Sequence, residues 1–192
     1  NKFIITGGSR IDYFLKKILN KNLNGNEIKE NKQFYLSDER MHSKLKESNS
    51  YKINKIFNKL PKSYKFYKIN NNPINLKNEV QRYNKVLPKK IDVAFLSLGH
   101  DYHLASLIKN MKVYYREKNV ILISSLKFQY KRISISKHFI SKANKIFLFI
   151  NGTKRLKEFR YMVKNKILNQ YINLNNQKKI TLVLRNIKNL NV

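Results

Sequence analysis

The pattern of apolar residues leaves this chain few folds to adopt. Short apolar runs recur along it, at Lys2–Thr6, Phe34–Leu36, Asp92–Leu98, Val120–Ile123, Arg132–Ser136, Lys145–Ile150 and Ile180–Leu184. Among them lie longer segments whose apolar residues return every third or fourth position. These are Ile11, Phe14, Leu15, Ile18 and Leu19; Ile53, Ile56, Phe57 and Leu60 before Pro61; Leu76, Val80, Tyr83 and Leu87 before Pro88; and Phe159, Met162 and Ile167 in a helix predicted over Lys154–Leu168. The runs suit buried strands and the periodic segments suit amphipathic helices. Strands alternating with helices imply right-handed crossovers, hence an α/β fold with a mainly parallel sheet and helices on both faces.

Composition narrows the rest. At 192 residues the chain suits a single domain, 1–192, burying about 70% of the surface that its unfolded form exposes. It contains no cysteine, which excludes disulfides and thiolate metal sites. No apolar run reaches the length of a membrane-spanning helix and no signal peptide is evident, so a cytoplasmic location is expected. The chain enters a strand almost at once from Asn1, and an N-terminal segment is expected to precede it. The formal charge is +30, from 41 Lys+Arg against 11 Asp+Glu. Such an excess can mark a nucleic-acid partner. Here the cations are dispersed and mostly lysine, with no arginine-rich block, so the excess reads as the Lys, Asn and Ile bias of an AT-rich genome. Nucleic acid is not the expected partner. In either case the field favours capture of small anionic substrates.

In an open α/β sheet, ligands gather beyond the carboxyl ends of the strands. Ile91–Leu107 places there a glycine corner at Gly99, the polar cluster His100-Asp101-Tyr102-His103, and then an apolar helix start, Leu104-Ala105-Ser106-Leu107. The first strand ends in Gly7-Gly8-Ser9-Arg10 ahead of a predicted helix. A strand, a glycine turn and a helix N-terminus make a phosphate cradle, because free backbone N–H groups point at the ligand. The second strand delivers Ser37-Asp38-Glu39-Arg40, a charge cluster that in isolation reads as a solvated loop, and the stretch from Pro61 through Asn70–Pro73 also reads as loop.

TGGS at Thr6–Ser9, SDER with a following SN at Ser37–Asn49, LGHDYHLASL at Leu98–Leu107 and RISIS at Arg132–Ser136 stand in that order. Together they resemble the 6-phosphogluconolactonases, whose members show an SGGSTP turn, a DER…SN element, a GxDGHxASLFP element, an RiTlt strand and a late G-x-K. Gly152-Thr153-Lys154 matches the last of these. The resemblance runs from the first residue to about Lys154. It implies the Rossmann-like sheet that this family shares with glucosamine-6-phosphate deaminases, and a lead-in helix before the first glycine turn. The chain departs from the pattern at Arg10-Ile11 for Thr-Pro, at Ser97 and Tyr102 for glycines, and at Ile108-Lys109 for Phe-Pro. If position 102 needs a positive φ, tyrosine is strained there by about 1–2 kcal/mol.

The resemblance implies hydrolysis of 6-phospho-D-glucono-1,5-lactone to 6-phosphogluconate in the oxidative pentose phosphate pathway. A δ-lactone is an activated ester, so the reaction requires no metal, cofactor or covalent intermediate. By the resemblance His103 is the general base on water, a task suited to imidazole near pH 7. Asp101 would orient its ring or contact substrate hydroxyls. Gly7, Gly8 and Ser9 would cradle the phosphate, with Arg10 as an added contact. Arg40, Arg132 and Lys154 would supply positive charge, and Asn49 would fix the loop after the DER element. Asp38 and Glu39 are expected to hold Arg40; His42, His100 and His138 are bystanders. The expected partner is the small phosphorylated lactone, and monomer and dimer both stay open. A deaminase would carry DE-Y in place of SDER and AFNEP in place of ASLIK. A non-catalytic sugar-phosphate binder is suggested by Tyr102 and the altered turn, and nucleic-acid binding by charge alone.

Overall fold

The computed structural model describes residues 1–7, 31–99, 102–108, 118–172 and 180–187. The helix predicted at Ile11–Leu19 lies outside them. The chain forms β1 (Lys2–Ile5), β2 (Lys32–Leu36) and β3 (Asp38–Arg40), then a 3-10 turn at Leu45–Glu47 and α1 (Asn49–Phe57). Next come β4 (Tyr64–Tyr67), α2 (Leu76–Val86), β5 (Ile91–Ser97), β6 (Val120–Ile123) and β7 (Arg132–Ile135). The short α3 (Lys137–Ile140), β8 (Ala143–Asn151), α4 (Thr153–Lys164), a 3-10 turn at Ile167–Gln170 and β9 (Ile180–Arg185) follow.

Six strands form a parallel sheet in the order β4-β2-β1-β5-β8-β9. This is a Rossmann-like α/β fold. The chain moves outward from β1 to β4 in one direction and from β5 to β9 in the other, so the order reverses between β1 and β5. Crossovers that diverge at such a point leave a crevice at the carboxyl ends of the two strands. Thr6-Gly7 and Leu98-Gly99 flank it.

The centre of the sheet is apolar because both its faces are covered there: Ile4, Ile5, Leu36, Ile91, Ala94, Leu96 and Leu148 are fully buried. A row of aromatic rings crosses it, Tyr64 to Phe34 to Phe3 to Phe95 to Phe147, at centroid spacings of 6.0, 4.9, 6.2 and 5.4 Å. Each ring packs on its cross-strand neighbour, the main side-chain contact available in a sheet. Helices α1, α2 and α3 start where a side chain accepts their free N–H groups: Ser48 from Tyr51, Asn75 from Lys77 and Asn78, Ser136 from Phe139; α4 follows Gly152 without a side-chain cap. Tyr83 of α2 is fully buried and donates to Leu36 O at 2.6 Å.

A second, antiparallel sheet of order β3-β7-β6 was not foreseen. Ser37 joins the two sheets: its N–H donates to Ile5 O at 2.8 Å and its carbonyl accepts Ile135 N–H at 2.8 Å. The expectation of a solvated loop at Ser37–Arg40 is thereby corrected, since Ser37, Asp38 and Glu39 are buried and Asp38–Arg40 pairs with Arg132–Ser134. The loop expected after Pro61 contains β4, whose register against β2 runs from Lys32↔Tyr64 to Tyr35↔Tyr67. The last long helix ends at Lys164 rather than Leu168, and Lys166 takes φ 55° before the 3-10 turn. Among the described residues, no helix is long and apolar enough to cross a membrane.

Candidate active site

The site grows from the two glycines at the crevice. A Cβ on Gly7 would lie 2.2 Å from Asn49 Cγ and 2.3 Å from its Oδ1, so only glycine lets Asn49 pack there. Asn49 in turn donates from Nδ2 to Asp38 O at 2.9 Å and accepts from Arg40 Nη1 at 3.4 Å. On the other side, a Cβ on Gly99 would come within 2.1 Å of His103 Cε1 and Nε2. The imidazole therefore lies against the Gly99 backbone. Gly99 N–H donates to His103 O at 2.8 Å, and Leu104 exchanges backbone hydrogen bonds with Leu107 at 3.1 and 2.9 Å. This tight loop, which takes the place of the helix start expected at Leu104–Leu107, holds Tyr102 at φ 56° and Ala105 at φ 53°.

The charge cluster divides its work. Glu39 is fully buried and accepts Asn49 N–H (2.9 Å), Ser50 N–H (2.5 Å) and the Ser48 hydroxyl (2.9 Å). A carboxylate there satisfies the free donors of α1 and complements its positive end. Asp38 accepts from the hydroxyls of Ser37 and Ser106, both at 2.7 Å, and stands 3.7 Å from Arg132 Nη1. Ser106 N–H donates to Ser134 Oγ at 3.3 Å, so Asp38 and Ser134 together anchor the loop that carries His103. Neither acid holds the Arg40 guanidinium, contrary to expectation. Arg40 instead donates to Glu47 O at 2.5 Å and to Asn49, while its backbone N–H reaches Glu39.

Arg40 and Arg132 are direct partners across the β3–β7 ladder. Opposed residues of an antiparallel pair project from the same face, and like charges so placed repel. Burial pushes the Arg132 guanidinium below its ordinary value; Asp38 pulls it up and Arg40 pushes it down. Its Nε is buried without a hydrogen-bond partner among the described residues. Phe128 lies beneath it, with the guanidinium carbon 4.1 Å from the ring centroid, and the same ring meets His103 edge-on at 6.0 Å.

The fold thus brings together Gly7, Asn49, Arg40, Arg132 and His103. Lys154 is exposed in the first turn of α4 at the carboxyl end of β8, the strand beside β5, while the next residue, Arg155, is buried against Glu158. Asp101, Gly8, Ser9 and Arg10 lie outside the described residues, as does His100. His42 and His138 are exposed. Sequence reasoning passed over Ser106 and Phe128. Serine after an apolar pair carries no signal until Asp38 is placed beside it, and a lone phenylalanine in a polar loop reads as surface.

The family model described as glucosamine-6-phosphate isomerases/6-phosphogluconolactonase matches residues 2–179. Among solved structures, 6-phosphogluconolactonase from Thermotoga maritima superposes with a TM-score of 0.76 at 18% identity, covering 97% of this chain and 85% of that one. The Plasmodium vivax 6-phosphogluconolactonase gives 0.73 at 20% identity, covering 98% and 79%. A monomeric glucosamine-6-phosphate deaminase gives 0.73 at 13% identity, covering 96% and 85%. No curated protein sequence matches the chain.

Proposed function

Because the chain belongs to the family of glucosamine-6-phosphate isomerases and 6-phosphogluconolactonases, we propose that it hydrolyses 6-phospho-D-glucono-1,5-lactone to 6-phosphogluconate. The observation that carries this reading is the pairing of a base with an anion site. His103 packs on Gly99 at the switch-point crevice, and Arg132, ladder partner of Arg40, shares the Phe128 ring with it. In the reaction, His103 takes a proton from water as the oxygen attacks the lactone carbonyl carbon. The carbonyl oxygen gains the negative charge of a tetrahedral intermediate. When the carbonyl re-forms, the bond to the ring oxygen breaks, and the departing alkoxide recovers the proton from the imidazolium. Such a base contributes about 10²- to 10⁴-fold in rate. Arg40 and Arg132 bind the phosphate, relieving their mutual repulsion, with the Gly7 turn beside them. Asp101, Gly8, Ser9, Arg10 and Lys154 complete the site in this reading, and the enzyme acts in the cytoplasm.

One observation favours a second reading, a sugar-phosphate binder without turnover: Tyr102 occupies the left-handed region directly before His103. One experiment separates the two. The lactone is generated in situ with glucose-6-phosphate dehydrogenase and its decay followed with the native protein, with His103→Ala and without protein. The lactonase reading expects the native protein alone to exceed the spontaneous rate. Equal decay in all three samples would leave only the binder.

A further inference from the structure

We propose that Phe128 is a positioning residue that sets the separation between the base and the anion-binding cation, an assignment that rests on the functional reading above. Phe128 belongs to the connection between β6 and β7, in a turn closed by its own N–H donating to Ser125 O at 3.0 Å. Its neighbours Leu126, Lys127 and Gln129 are exposed, whereas Phe128 is half-buried and packs against the core. The turn thus puts one ring inward from an otherwise solvent-facing loop.

Two groups share that ring. The Arg132 guanidinium lies over it at 4.1 Å, where the negative face of the ring attracts a cation. The imidazole of His103 stands at 6.0 Å with an interplanar angle of 89°, the T-shaped arrangement that aromatic quadrupoles favour. The polar restraints on Arg132 are long, 3.5 Å to Ser106 Oγ and 3.7 Å to Asp38, and its Nε has no hydrogen-bond partner among the described residues. Those contacts leave the guanidinium room to swing, and the aromatic face removes it. For His103, Gly99 forms one wall and Phe128 another. A single side chain therefore fixes both ends of the substrate: the carbonyl against the base and the phosphate against the cation. Geometry of this kind is what holds a substrate near its attacking position.

Phe128→Leu keeps the apolar bulk and removes the π face; Phe128→Tyr keeps the ring. Kinetics on the lactone are expected to show KM raised about threefold to tenfold in Phe128→Leu, the range of a partly buried cation–π contact. Its kcat falls about tenfold as His103 loses a wall, and Phe128→Tyr stays within about twofold of the native protein in both constants. Inorganic phosphate titrated calorimetrically into the same three proteins should bind Phe128→Leu more weakly by the same factor as the change in KM. Native values in both variants, equal losses in both, or a kcat change with KM and phosphate affinity intact would overturn the assignment. If the native protein turns over no lactone, the functional reading fails and the phosphate titration decides alone. Weaker binding only in Phe128→Leu then supports the positioning role; equal binding, or none by the native protein, ends it.

Discussion

Tyr102 adopts φ 56° immediately before His103, a region that costs a side chain about 1–2 kcal/mol. The backbone is held there by the Gly99 to His103 hydrogen bond and the Leu98–Leu104 bridge, and its ring tilts against Tyr161 of α4 at 6.1 Å. The ring contact offsets part of the strain, about 0.5–1.5 kcal/mol. With that contact already removed by Tyr161→Ala, Tyr102→Gly should stabilise the protein by about 1 kcal/mol in urea unfolding, because glycine enters this region freely. A loss of stability would show that the tyrosine is not strained. Tyr171 gives a different kind of test. It is fully buried, its hydroxyl has no partner among the described residues, and burial pushes its pKa up from 10 to about 12. The folded state therefore holds this proton more tightly than the unfolded chain does. The resulting stability is complete below pH 10 and is lost as pH rises through about 12. Tyr171→Phe should raise stability at neutral pH by about 1 kcal/mol, by removing an unpaired buried hydroxyl, and should flatten the alkaline loss seen by circular dichroism.

At the scale of elements, α1 depends on a carboxylate outside itself. Glu39 on β3 accepts three donors at the helix start, from Ser48, Asn49 and Ser50. Glu39→Gln keeps the shape but loses the charge and places an N–H group against one of those donors. It should cost about 2–4 kcal/mol in urea unfolding. A change below about 0.5 kcal/mol would mean that water replaces the carboxylate. This dependence also explains what the sequence could convey. Strands β1, β2, β5 and β8 of the parallel sheet are legible as apolar runs because both their faces are covered, and α1 and α2 are legible from spacing and from Pro61 and Pro88. β3 is not, because Asp38-Glu39-Arg40 is a strand whose charges are satisfied by residues remote in sequence. Nor is β4, where Tyr64-Lys65-Phe66-Tyr67 sits at the sheet edge with Lys65 exposed. In the site, Gly7 and Gly99 stand out in the sequence as glycines, but the reasons they must be glycine, Asn49 and the His103 ring, come from tertiary contact. Phe128 needed both sheets in place before it could be found.

Among the described residues, carboxylates and lysines are segregated by depth. Every described carboxylate is buried or half-buried, and no described lysine is buried. The formal charge of +30 gives the molecule a strongly positive net field. Capture of a phosphorylated substrate should then be steered by the field. Raising NaCl from about 20 to about 200 mM should lower kcat/KM several-fold while leaving kcat nearly constant, because screening acts on encounter and not on a bound substrate. A salt-independent kcat/KM would remove steering from the account. Ser37 carries a consequence of its own at this scale. One residue ends the parallel sheet through its N–H and begins the antiparallel sheet through its carbonyl. Neither sheet can hinge against the other without breaking one of those two bonds. The Arg40–Arg132 ladder and the end of β1 are therefore fastened to the same residue. In hydrogen–deuterium exchange the amides of Ser37 and Ile135 should be released together, at the free energy of global unfolding rather than of local opening.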